Sequence, residues 1–134
     1  MADAIPEPAR ELLEAANIAH LATLMADGTP HVTPVWVDVE DSLVLVNSAE
    51  GRVKVRNLRR DPRVGLSVVD RENPYAAVSI RGRVREITEA GADEHIDALA
   101  KKYLGEERYP MRQPGEQRVI VKIEPIHAYG PASG

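Results

Sequence analysis

Most of the chain alternates apolar and polar residues with a period of two, the mark of half-buried strands. Ile18 to Met25 reads as a strand, and Asp27-Gly28 as a hairpin turn whose glycine supplies positive φ. The next strand spans His31 to Val39, with Val35, Val37 and Val39 on one face and Trp36 on the other. Pro34 removes a ladder donor, so that strand has an edge, a bulge or a ligand there. Glu40-Asp41 turns into a strand from Leu43 to Val46. Val64 to Asp70 follows, then a turn at Glu72-Asn73-Pro74 and a long strand from Ala77 to Thr88. There Val78, Ile80, Gly82 and Val84 face one way, and Arg81, Arg83 and Arg85 the other. Arg118 to Glu124 is the last strand, with Val119, Val121 and Ile123 inward.

Three stretches depart from that period. Pro6 and Pro8 start a short helix running to about Ala16. Between Gly51 and Arg60, Val53 and Val55 alternate like a strand while Val55 and Leu58 are helix-spaced. A short helix is the reading adopted, stopped by Asp61-Pro62. Ala92, Ile96, Leu99 and Tyr103 predict a helix of about 14 residues. Gly105 to Gln117 is a polar loop. The sum is one mainly β (α+β) domain over residues 1–134, a six-stranded antiparallel barrel with short helices.

Composition narrows the function classes. The 134 residues are 43% apolar, as in a globular domain, and no apolar run approaches the roughly 20 residues a membrane span needs. The N-terminal stretch carries acids and two prolines, unlike a signal peptide. The absence of cysteine removes disulfides, thiolate metal sites and cysteine catalysis, so a cytoplasmic setting is expected. With no phenylalanine, one tryptophan and four tyrosines, the chain lacks stacking rings for single-stranded nucleic acid.

Charge is uneven. Residues 51–65 hold six basic side chains against Asp61, so the window is +5 and the remainder of a −4 chain is −9. A basic island in an acidic protein points to one locally held anion rather than a nucleic-acid or membrane face.

No nucleophile elbow, Walker loop or dinucleotide fingerprint occurs, and the four histidines share no metal-ligand spacing. The informative segment runs from Asn47 to Leu58. A strand delivers Ser48 to a tight turn, and a helix start follows with Arg52 and Lys54. A helix N-terminus offers free N–H groups and a positive dipole end, Arg a bidentate fork and Lys a point charge. The alternatives at this point are a phosphate site and a solvated basic helix face.

Several segments together resemble the split barrels of the pyridoxamine-phosphate-oxidase-like family, the FMN-binding split-barrel type. They match best its actinobacterial branch that uses the deazaflavin coenzyme F-420. His20-Leu21-Ala22-Thr23-Leu24 with Asp27-Gly28-Thr29-Pro30 is similar to the family's first hairpin, and Val32-Thr33-Pro34-Val35-Trp36 to the strand beside the tricyclic ring. Asn47-Ser48 through Arg63 resembles its phosphate-binding turn and helix. Tyr103-Leu104-Gly105 and Arg108-Tyr109-Pro110 resemble a loop of this branch.

The resemblance implies Asn47, Ser48, Arg52 and Lys54 at the cofactor phosphate, Asn57 supporting the turn, and Thr33, Pro34, Val35 and Trp36 along the ring. It implies an oxidoreductase passing hydride between coenzyme F-420 and a small electron-poor acceptor of enone or quinone type. No catalytic side chain and no metal ligand are assigned. The rivals are an FMN enzyme on the same scaffold and a non-catalytic flavin or deazaflavin carrier. A homodimer with the cofactor groove at the subunit interface is expected, because so short a barrel has little depth. Trp36 and the Arg81, Arg83 and Arg85 row are candidates for its seam, the row being otherwise a solvated face. Tyr129 is read as a structural tyrosine rather than a proton donor.

Overall fold

The computed structural model describes residues 5–132. The chain opens with α1 (Glu7–Glu14), begun by Pro6 and Pro8 and burying Ala9, Leu12 and Leu13. The Asn17 side chain, itself buried, donates to Leu12 O at 3.0 Å and ends the turn. β1 (Ala19–Leu24) and β2 (Pro30–Val35) form the first hairpin, followed by β3 (Val37–Glu40) and β4 (Leu43–Ala49). α2 (Val53–Arg60), β5 (Arg63–Val69), β6 (Ala77–Thr88), α3 (Ala92–Leu104) and β7 (Arg118–Tyr129) complete the order. The ambiguous stretch after Gly51 is thus helical.

All strand pairs are antiparallel, in the order β2-β1-β5-β6-β7-β4-β3. Seven strands stand where six were expected, because His31–Val39 is two strands. Val35 pairs with Ala19 of β1, whereas Val37 pairs with Val46 of β4. β2 and β3 are opposite edges of the sheet, so Trp36 is the residue at which the chain passes from one edge to the other, and the sheet must curl to let it. Alternation runs unbroken through such a change of partner, which hides it. Pro34 lies on an edge strand, where its missing donor costs no ladder bond.

Two other boundaries moved. β4 continues past Val46 to Ala49, so Asn47 and Ser48 are strand residues. β7 continues past Glu124 because Pro125 falls at a register shift opposite Gly82, where the ladder is already irregular. A Cβ on Gly82 would stand 2.7 Å from Glu124 O, so only glycine lets the strands approach there.

The core is aliphatic, built from residues such as Leu21, Val37, Val46, Val68, Ile80 and Ile123, closed on one side by Leu13 of α1. A smaller cluster of Leu45, Ala92 and Ile120 seats α3 on β4 and β7. No described helix is long and apolar enough to cross a membrane.

Candidate functional site

The end of β4, the start of α2 and the start of β7 converge on one cavity of about 320 Å³. The path into it is a turn. Arg52 N–H donates to Ala49 O at 3.2 Å, and Gly51 sits at φ +90°, a conformation that favours glycine. No side chain caps α2, so its first-turn N–H groups have no side-chain acceptor.

Seven of the nine residues singled out from sequence line this cavity: Pro34, Val35 and Trp36 from the end of β2 and the residue after it, Asn47 and Ser48 from β4, and Arg52 and Lys54 from the start of α2. Thr33 and Asn57 are not in its wall. Thr33, on β2, has a buried Oγ1 without a partner. Asn57 is buried beneath α2, donating to Thr23 Oγ1 at 3.0 Å and accepting from Arg60 at 2.8 Å, and so ties α2 to β1.

The basic island divides by task. Arg59 pairs with Glu50 at 2.7 Å, Arg63 with Asp61 at 2.7 Å, and Arg60 donates to Leu24 O at 2.7 Å. Arg52 and Lys54 are the island residues in the cavity wall. A third cation joins them from far along the chain: Arg118, the first residue of β7, whose side chain is only 5% exposed. Its Nε donates to Asn47 Oδ1 at 2.8 Å, its Nη1 meets Glu116 Oε1 at 3.1 Å, and its guanidinium lies 5.2 Å from the Tyr109 ring centroid. Glu116 also lies 3.9 Å from Arg52.

Asn47 is held on both ends of its amide. Because Oδ1 accepts from Arg118, Nδ2 is the donor, to Ala92 O at 2.9 Å and to His95 Nδ1 at 3.1 Å. His95 Nδ1 is therefore an acceptor, and burial of the ring holds its pKa below the ordinary histidine value, against the pull of Asp38. Burial also lowers the Lys54 pKa, with help from Arg52 and Arg118. Ser48 Oγ is buried in the cavity wall with no hydrogen-bond partner. Three cations, a partnerless buried hydroxyl and an uncapped helix start together fit an anion with several acceptor oxygens.

Trp36 also lines the cavity. Its ring stacks on Tyr103 with centroids 5.2 Å apart and planes within 5°, and Tyr109 meets it edge-on at 5.9 Å. The Tyr103 hydroxyl donates to Asn17 O at 2.7 Å and accepts from Val37 N at 3.1 Å, which fixes the stack. Tyr109 and Met111 reach the wall because the 105–117 loop is bolted to α3: Arg112 pairs with Asp93 and Asp97, and Tyr109 N–H donates to Asp97 Oδ1 at 2.8 Å. Sequence reading missed Arg118, Ile18, Ile96, Tyr109 and Met111 as wall residues. An arginine opening an apolar strand was the available signal for the first; nothing local marks the others.

The Arg81, Arg83 and Arg85 row is exposed on β6, away from this cavity, and Arg85 pairs with Glu124 at 3.5 Å. Tyr129 is also outside it, half-exposed and 5.6 Å from the His127 ring.

Residues 5–130 match the family described as pyridoxamine 5'-phosphate oxidase. The chain belongs to this family. A relative from Mycobacterium tuberculosis (strain CDC 1551 / Oshkosh), an F-420(H2)-dependent biliverdin reductase, is 28% identical over 96% of this chain and 89% of its own length. A solved structure named F-420 reductase is 30% identical with a TM-score of 0.81, covering 93% of this chain and 98% of that one. A conserved hypothetical protein of Mycobacterium tuberculosis is 27% identical with a TM-score of 0.68, covering 89% and 79%.

Proposed function

We propose that this chain is an oxidoreductase dependent on coenzyme F-420, reducing a small electron-poor acceptor of enone or quinone type. The observation that carries the reading is the cavity whose wall brings Ser48, Arg52, Lys54 and Arg118 together with Pro34, Val35 and Trp36. Similarity to the two F-420 reductases supports the choice of deazaflavin over FMN.

Ser48 donates to a phosphate oxygen, while Arg52, Lys54 and Arg118 neutralise the phosphate charge. Asn47 orients Arg118 rather than binding the ligand with free donors, since its amide is engaged at both ends. Pro34, Val35 and Trp36 give the tricyclic ring an apolar flank. When bound, the deazaflavin supplies a hydride from C5 to the acceptor. The protein's share is position and dryness: holding the acceptor carbon about 3–3.5 Å from that atom removes several kcal/mol of barrier without any acid or base.

The functional unit we propose is a homodimer with the groove between subunits. A cavity of about 320 Å³ is at the low end for a ligand site, and a second copy supplies the missing depth.

Mixing the protein with reduced deazaflavin, and separately with reduced FMN, against a panel of quinones and enones tests the proposal. Protein-dependent reoxidation is expected with the deazaflavin. Tight binding without acceleration identifies a carrier, and turnover with FMN alone identifies the flavin branch. A clean monomer by light scattering that still binds cofactor tightly rules out the shared groove.

A further inference from the structure

We infer that His95 is a positioning residue for the cavity. Its unprotonated ring holds the Asn47 amide, and through it the Arg118 guanidinium, in the arrangement that takes an anion. A second proton on the ring breaks that arrangement and weakens anion binding. This rests on the reading of the cavity as an anion site given above.

Three partners surround the Asn47 amide, and two of them leave it no choice of orientation. Arg118 Nε, at 2.8 Å, can only donate, so it faces Oδ1. Ala92 O, at 2.9 Å, can only accept, so it faces Nδ2. The third partner, His95 Nδ1, lies 3.1 Å from Nδ2 and has to accept as well. The proton of the neutral ring is then on Nε2, which is buried, 3.8 Å from Asp38 Oδ2 and without a hydrogen-bond partner among the described residues. An imidazolium would set its Nδ1–H against the amide hydrogens of Asn47. Turning the amide over would give that N–H an acceptor, but it would set NH2 against Arg118 Nε and oxygen against Ala92 O. Asn47 can serve a protonated His95 or the pair of Arg118 and Ala92, not both.

The surroundings of the ring keep it unprotonated at neutral pH. His95 stands near the start of α3 with a side chain only 9% exposed. Burial opposes the charge most strongly, and Lys102 of α3 and Arg118 of β7 add to it, while Asp38 and Glu40 of β3 pull the other way. The balance holds the pKa below 6.5, so the arrangement is intact at neutral pH and is lost as pH falls through the His95 pKa. Arg118 then keeps Glu116 and the Tyr109 ring but loses the contact that aims Nε. Acidification otherwise favours anions, because it adds positive charge to the protein. A relay through Asn47 reverses that sign. Linkage makes the effect reciprocal: an anion that needs an unprotonated His95 lowers its pKa, whereas one acting only through space raises it.

Sulfate is the probe, since it does not titrate near neutral pH as phosphate does. Calorimetric titration of the whole protein should show sulfate affinity falling by up to about tenfold as pH is lowered from about 7.5 through the His95 pKa, the loss of roughly one charge-assisted contact. His95→Gln, whose amide oxygen accepts from Asn47 without taking a proton, should remove that fall. Histidine ring resonances, assigned with the same variant, read the other half of the linkage. Saturating sulfate should lower the His95 pKa by about one pH unit, the same tenfold seen from the proton's side. Asn47→Ala, which removes the opposing donor, should raise the His95 pKa and abolish its downward response to sulfate. Sulfate binding that strengthens or stays level on acidification, or a His95 pKa that sulfate raises or leaves unmoved, would overturn the relay while the anion site stands. Failure of sulfate to bind even at about pH 7.5 would remove the anion site, and the relay with it.

Discussion

Replacing Arg118 by methionine separates what the buried guanidinium does for the fold from its proposed part in anion binding. Methionine keeps much of the side-chain volume and packs readily, so the loss is electrostatic. Arg118 meets Asn47 at 2.8 Å, Glu116 at 3.1 Å and the Tyr109 ring at 5.2 Å. Without it, Glu116, 7% exposed, keeps only Arg52 at 3.9 Å. Stranding one partner of a buried pair costs about 3–5 kcal/mol, a large part of the 5–15 kcal/mol that holds a domain together. At about 4 °C per kcal/mol, Arg118→Met should melt some 12–20 °C lower. Adding Glu116→Gln removes the stranded charge and should recover most of that loss. Phosphate binding should not recover, remaining about ten- to a hundredfold weaker, because the cation is gone in both variants. Urea denaturation reads the first effect and calorimetric titration with inorganic phosphate the second. A single variant destabilised by under about 1 kcal/mol, or a double variant that regains full anion affinity, would refute the assignment of Arg118 to both tasks.

Three further outcomes follow from the same geometry. Ser48→Ala removes a buried hydroxyl that has no partner, so stability should hold or rise slightly while phosphate affinity drops roughly three- to tenfold; a marked loss of stability without loss of affinity would show a structural serine. Burial lowers the Lys54 pKa from 10.5, so phosphate affinity should fall as pH is raised from 8 toward that value, and Lys54→Arg should flatten the profile; an unchanged slope in that variant excludes Lys54 from the site. Gly82→Ala should cost about 1–3 kcal/mol, since its Cβ would meet Glu124 O at 2.7 Å and Ile123 Cγ2 at 2.8 Å; wild-type stability by urea denaturation would show that the bulge relaxes.

What the sequence alone determined is whatever depends on neighbours along the chain. Alternation located the strands, helical spacing located α3, and the turn and helix start that carry Asn47, Ser48, Arg52 and Lys54 marked one part of the cavity wall, because turn and helix start are local chemistry. Tertiary structure decided the rest. The passage of Trp36 from one sheet edge to the other is a choice of hydrogen-bond partner, which leaves no trace in a periodic pattern. Asn57 carries the same polar groups whether it faces a ligand or, as here, Thr23 across the helix–sheet seam. Arg118 stands 66 positions beyond Arg52, and only the pairing of β7 with β4, which sets Val119 beside Ser48, brings that charge to the same cavity wall. Tyr109 and Met111 reach the wall only because Arg112 fastens their loop to two aspartates of α3. Sequence separation does not encode these contacts; strand order and sheet curvature do.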